Sequence, residues 1–108
     1  MFYDIREALT LLFEERRMCR SAWTHIDFVV MMPELNLPPN SRQEPGPKVN
    51  DRTAKHIGVD TPLNSQPYFA AFYVDGRWQP GWTPTTEDVF AEDWFDATDM
   101  SEDSATCD

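Results

Sequence analysis

Three of the chain's four tryptophans fall within the eighteen residues from Trp78 to Phe95, WQPGWTPTTEDVFAEDWF, and no other stretch constrains the fold as strongly. Upstream lies an aromatic run, Tyr68 to Val74, joined to it through Asp75-Gly76. That dipeptide tolerates positive φ, so the two arms read as a hairpin with Trp78 and Trp82 on the returning arm. Beyond Gly81-Trp82, Thr85 precedes Asp88 by three residues, the hydroxyl and carboxylate of a capping box that opens a short helix. Strand end, turn, helical turn and closing strand together make a compact aromatic corner.

The remainder is organised around that corner. Asp4 and Glu7 form a second capping box, and Ile5, Ala8, Leu9 and Leu12 share one helical face. This spacing predicts a helix from residue 4 to about 16, with Arg16 and Arg17 in a last turn where bases favour the helix dipole. Ile26 to Met32 has the β-branched and aromatic content of a buried strand, and Met18 to Trp23 pairs with it across Trp23 to His25. Residues 33–67 are proline-rich and short of large apolar groups, which reads as a long irregular loop. Within it, Asn50 to Gly58 holds a turn or two of helix, capped by Asn50 or Asp51 and stopped by Gly58. From Asp96 to Asp108 there are five acids and no base, a composition that reads as a solvated tail. The fold class is therefore α+β, a small antiparallel sheet with an N-terminal helix packed on it. It forms a single domain over residues 1–95, followed by an acidic tail over 96–108.

Charge narrows the function. Residues 1–74 carry nine acids and eight bases, whereas residues 75–108 carry ten acids and one base, Arg77. A nucleic acid polymer demands clustered Lys and Arg, so it is not the expected partner. An acidic surface that mimics DNA or blocks a host protein remains open on this pattern. Two cysteines in dissimilar surroundings, Cys19 and Cys107, suggest reduced thiols and a cytoplasmic setting. No apolar run approaches the roughly 20 residues that span a bilayer, so no membrane partner is expected.

Aromatic rings in this number exceed what a small core needs, and each can stack a nucleobase for about 1–3 kcal/mol. Trp23 and Trp82, each beside a turn, read equally as core or as stacking platforms, while Trp94 between Ala91 and Phe95 reads as core. Arg20 is placed to meet a phosphate through its guanidinium fork. Arg42, Lys48, Arg52 and Lys55 supply further cations in the middle stretch, or are simply solvated. Asp88 has two readings, acceptor for a ribose diol or capping carboxylate. Enzyme chemistry has little to stand on: His25 and His56 are the only histidines, no metal-ligand spacing exists, and four glycines form no phosphate loop. A nucleotide-cleaving role for Asp88 or Glu92 is the weaker alternative.

Taken in order, Glu7-Ala8-Leu9, Arg20 with Trp23, Pro67-Tyr68, and Trp82-Thr83-Pro84 followed by Asp88, Ala91, Asp93 and Trp94 resemble the second type of Thoeris anti-defence protein, a family of small bacteriophage proteins. The resemblance spans residues 4–95 apart from the middle stretch, and GWTPTTEDVFAEDW is its specific part. It implies a non-enzymatic sponge in the host cytoplasm, a homotetramer that sequesters small anionic cyclic nucleotide signals. These are cyclised forms of ADP-ribose, with cyclic di- or trinucleotides held at separate sites in some members. From the residues themselves, no cofactor or metal is expected. Arg20, Trp23, Thr24, Tyr68, Trp82, Thr85 and Asp88 become the candidate ligand-binding residues. Family members commonly read Arg-x-Gly-Trp-Asn-Gly-Lys where this chain has Arg20-Ser21-Ala22-Trp23-Thr24-His25-Ile26. Ala22 stands for the glycine, Thr24 for the asparagine, and the lysine is absent, so one amide and one cation are missing from that segment.

Overall fold

The computed structural model describes residues 1–98. Its elements, in chain order, are α1 (Ile5–Phe13), β1 (Met18–Arg20), β2 (Ile26–Met32), β3 (Leu35–Leu37) and α2 (Asp51–Ile57). They continue with β4 (Leu63–Ser65), β5 (Tyr68–Tyr73), β6 (Trp78–Pro80), α3 (Thr86–Phe90) and β7 (Trp94–Asp96). The fold is α+β, as its patterning implies. The described chain divides into two compact units, one built from Met1–Met32 with residues 68–98, the other from Pro33–Pro67.

In the first unit five antiparallel strands run in the order β6-β5-β2-β1-β7. Helix α1 begins where Asp4 accepts the Glu7 N–H at 3.0 Å and Glu7 accepts the Asp4 N–H at 3.2 Å. It buries Ala8 and Leu12 against Met18, Ile26, Val29, Ala71 and Trp94. Burying a side chain such as Leu12 contributes about 1.5–3 kcal/mol. Strand β2 needs an irregularity to serve this core. A strict period of two would send Ile26 and Val29 to opposite faces, yet both are buried in the same cluster. The register shift between Ile26 and Phe28 adds the residue that restores parity. Asp75-Gly76 does turn the β5–β6 hairpin, with Gly76 at φ 92°.

Helix α1 ends earlier than its charge pattern implies. Glu15 adopts φ 64°, with its N–H on the Leu12 carbonyl at 2.9 Å and the Arg16 N–H on the Leu11 carbonyl at 3.1 Å. This is a Schellman termination. Arg16 and Arg17 therefore lie beyond the last turn of α1 rather than in it. Arg16 pairs with Asp96 at 2.6 Å, and the Arg17 guanidinium lies 5.0 Å from the centre of the Phe28 ring.

The sheet also reaches past the expected boundary at residue 95. Asp96 ends β7, and the buried Ala97 donates its N–H to the Arg17 carbonyl at 2.6 Å. Thr98 Oγ1 accepts the Arg17 N–H at 2.8 Å. The rest of the acidic stretch, from residue 99, lies outside the described residues. Cys19 is buried and unpaired, and burial pushes its thiol up to about 11. No helix among the described residues is long and apolar enough to cross a membrane.

The second unit corrects the expectation of an irregular loop. Strands β3 and β4 pair antiparallel, Leu35 opposite Ser65 and Leu37 opposite Leu63. Asn50 caps α2 through the Thr53 N–H at 2.8 Å, and Gly58 stops it with its N–H on the Ala54 carbonyl. Val49 is fully buried, and its backbone is held by the Pro38 carbonyl at 3.0 Å and the Asn40 amide at 2.9 Å. Hydrogen bonds between residues distant in sequence complete these short elements, which local composition does not reveal.

The left-handed Glu15 yields a stability prediction. An L-residue there costs about 1–2 kcal/mol, against roughly 0.5–1 kcal/mol of extra backbone entropy lost by glycine. Glu15→Gly should raise unfolding stability by about 0.5–1 kcal/mol in urea titrations.

Candidate functional site

The site grows from one buried cation. Arg20, at the end of β1, lies next to Trp94 across the β1–β7 pairing and is 7% exposed. Its Nε donates to Asp93 Oδ1 at 2.8 Å and its Nη1 to Asp88 Oδ1 at 2.6 Å, while Nη2 lies 3.8 Å from the exposed Glu87. Both carboxylates have other donors. Asp93 Oδ2 accepts the Ser21 hydroxyl at 3.1 Å and the Ala22 N–H at 3.0 Å. Asp88 accepts the Trp23 indole N–H at 3.2 Å and, closing the capping box of α3 from its third residue, the N–H of the N-cap Thr85 at 2.9 Å. The Asp88 backbone carbonyl takes the indole N–H of the fully buried Trp94 at 3.0 Å. The turn after β1 is thereby fixed to α3 and β7 at several points.

These bonds set the ionisation of the cluster. Burial pushes the Asp88 carboxyl up, but the Thr85 N–H, the Arg20 guanidinium and the Trp23 indole outweigh it and hold the group below its ordinary value. For Asp93, burial is likewise outweighed by Arg20 and the Ala22 and Ser21 donors. Burial opposes the charge on Arg20, yet its two carboxylates raise its pKa. All three groups are charged at neutral pH.

Over this base opens a cavity of about 360 Å³. Arg20 and Asp88 form its buried floor, and the half-buried rings of Trp23, Tyr73 and Trp82 form its walls. Trp23 packs edge-on against Trp82 at 5.8 Å and against Trp94 at 5.1 Å, so the wall is continuous with the core. Thr24, His25, Thr85 and Glu87 stand at the exposed rim, with the His25 ring 6.1 Å from that of Tyr73.

Six of the seven candidate residues, Arg20, Trp23, Thr24, Trp82, Thr85 and Asp88, thus come together here. Tyr68 does not. It alternates with Phe69, Ala71 and Tyr73, which pack towards the core, and so stands on the opposite face of β5 beside Met32. Tyr73 occupies the place in the cavity for which Tyr68 was the candidate. His25, Glu87 and Asp93 also escaped the list of candidates. For Asp93 the missing information was the β1–β7 pairing, a contact across 73 residues of sequence. Arg42, Lys48, Arg52 and Lys55 belong to the second unit. Another groove, of about 440 Å³ and mostly apolar, is lined by Met1, Phe2, Tyr3, Ser21, Phe95 and Asp96 and holds none of the candidates. Among the described residues no group of three or more His, Cys, Asp or Glu side chains is arranged to hold a metal ion.

Compared with known protein families, residues 3–97 match the Thoeris anti-defense 2-like domain. The chain belongs to this family. No curated protein matches it. The span of the Thoeris anti-defense 2-like match has a structural counterpart. It starts at Tyr3, whose backbone bridges Trp94 at 2.7 and 3.2 Å, and stops at Ala97, whose N–H closes the last rung on Arg17. In this Thoeris anti-defense 2-like chain the arginine and the two aspartates of the sequence motif are spent on each other.

Breaking a buried pair by removing one partner costs about 3–5 kcal/mol. Arg20→Met should lose about that much stability, and Arg20→Lys should recover only part, because an ammonium lacks the planar fork that reaches two carboxylates. Chemical denaturation of the two variants checks this. The lowered Asp88 and Asp93 pKa values stabilise the fold fully above the ordinary carboxylate value of 3.8. That stability is lost as pH falls below it through the folded-state values. Urea midpoints for the native chain should therefore fall steeply below pH 4 and stay flat from there to neutrality as far as these groups contribute, and Arg20→Met should flatten the acid limb.

Proposed function

We propose that this Thoeris anti-defence domain acts as a non-enzymatic sponge, binding a cyclic nucleotide-derived immune signal and withholding it from the host effector. Family membership over residues 3–97 supports the anti-defence role. The observation that carries the binding step is the convergence of Trp23, Tyr73 and Trp82 from three separate segments on one cavity. Ring faces there can stack a base, and the Thr24 and Thr85 hydroxyls with the His25 ring nitrogens can hydrogen-bond a sugar or base edge. Arg20 and Asp88 contribute by holding Trp23 and α3 in place, so the walls are formed before a ligand arrives. Preorganisation of this kind reduces the ordering cost of binding.

Cyclised ADP-ribose is the first ligand to test, cyclic oligonucleotides the second, and the working form in this reading is a homotetramer in the host cytoplasm. Sequestration requires affinity beyond that of the effector, nanomolar or about 12 kcal/mol. Incubating the chain with cyclised ADP-ribose, removing free ligand, then heating the protein should return the intact molecule to the supernatant. Recovery of cleaved product instead would make the protein an enzyme, and no uptake would end the reading. Native mass spectrometry of the same sample reads the subunit count.

Trp82→Ala removes a half-buried wall ring that packs on Trp23 and the core, and should weaken ligand binding by about 1–3 kcal/mol while also lowering the unfolding midpoint, less than Arg20→Met does. Isothermal titration beside thermal melts separates the two effects.

A further inference from the structure

The charge of the cavity is at odds with its proposed ligand. A nucleotide signal carries phosphates, and among the described residues the one Lys or Arg side chain lining the cavity is Arg20. That guanidinium already has Asp93 at 2.8 Å, Asp88 at 2.6 Å and Glu87 at 3.8 Å, so one positive charge faces three negative ones. Arg77, whose guanidinium lies 4.8 Å from the centre of the Tyr73 ring, does not line the cavity and is paired with Asp75 at 2.8 Å. Counting that pair leaves the surroundings at the same net minus two. A phosphate placed here would meet repulsion, with no unneutralised Lys or Arg among the described residues lining the cavity to offset it.

Size points the same way. Ligand cavities commonly run from about 300 to 1,000 Å³. At about 360 Å³ this one is near the lower limit and open on one side, so it can seat a base with its sugar while the remainder of a larger ligand lies outside it. Its walls are aromatic, and its rim offers hydroxyls, an imidazole and the exposed carboxylate of Glu87 as acceptor. That chemistry suits a flat ring and a polyhydroxylated sugar, both uncharged.

We infer that the cavity recognises the nucleoside portion of its ligand, base stacked between the tryptophan and tyrosine rings and sugar at the rim, with the phosphates directed outward, away from the Arg20 cluster. This rests on the reading of the cavity as the nucleotide site and says which part of the nucleotide enters it. Phosphates contribute little to affinity at this cavity and oppose entry.

The test is a titration of the full chain with adenosine, adenosine 5′-monophosphate and adenosine 5′-diphosphate, followed by tryptophan fluorescence and calorimetry at about 20 mM and about 300 mM salt, Debye lengths of roughly 20 and 6 Å. Adenosine should bind at least as tightly as either phosphate at low salt. Each phosphate should weaken binding severalfold, and the gap should narrow as salt screens the repulsion. Glu87→Gln, which removes one exposed charge, should shift the ratio of diphosphate to adenosine affinity about threefold towards the diphosphate at low salt. Tighter binding of the diphosphate than of adenosine, with affinity falling as salt rises, overturns the inference, and so does a Glu87→Gln ratio that does not move.

Cyclised ADP-ribose run alongside separates the two readings. Its tight uptake with no measurable binding of adenosine overturns the inference and leaves sequestration standing. Adenosine binding without uptake of cyclised ADP-ribose does the reverse.

Discussion

A single guanidinium fork between two aspartates holds this domain's working corner together. Arg20 projects from β1, Asp88 from α3 and Asp93 from the link into β7. Strands β1 and β7 are anchored by the buried Met18 and Trp94, but α3 is only five residues long and buries Asp88 rather than an apolar side chain, so the polar cluster is what ties it down. An arginine can satisfy two carboxylates at once because its donors are set in a rigid plane, and those donors stay charged under all ordinary conditions. Removing water from such a cluster is costly, which is why each carboxylate also takes backbone or side-chain donors. No buried side-chain nitrogen or oxygen among the described residues is left without a hydrogen-bond partner.

The cavity is an extension of the core. Trp94 is wholly buried, binds the Asp88 carbonyl through its indole and presents its ring to Trp23, which in turn meets Trp82. Apolar packing and the polar cluster therefore position the same wall from two sides. The same economy gives the cavity its electrostatic character. The charges that build it are consumed in building it, leaving acceptors at the rim and aromatic faces within. In the proposed binding role, such a cavity would discriminate by the shape, stacking and hydrogen-bond donors of a ligand more than by attraction for its charge.

Local features were readable wherever a few adjacent residues carry the whole physics. The Asp4–Glu7 and Thr85–Asp88 boxes, the Asn50 cap with its Gly58 stop, and the Asp75-Gly76 turn are all contained within four to nine residues. Local rules leave a residue's place undecided where two of them suit it equally. Bases after α1 suit a helix terminus, but Asp96 and Phe28 compete for them and win. Tyr68 and Tyr73 are equally aromatic, and only the parity of β5 against its neighbours decides which enters the cavity. Proline-rich composition suggested irregularity in residues 33–67, whereas Leu35–Leu37 and Leu63–Ser65 find each other across the intervening helix.

By itself, then, the sequence determined the element types, the caps and turns, the aromatic character of the corner and the membership of its motif. Those depend on neighbours in the chain, on side-chain oxygen reach and on tolerated φ. Tertiary structure alone decided what the motif residues do. Arg20 has the same chemistry whether it awaits a phosphate or grips two carboxylates, and the choice was made by β7 pairing with β1, which carries Asp93 and Trp94 to a partner more than seventy residues away.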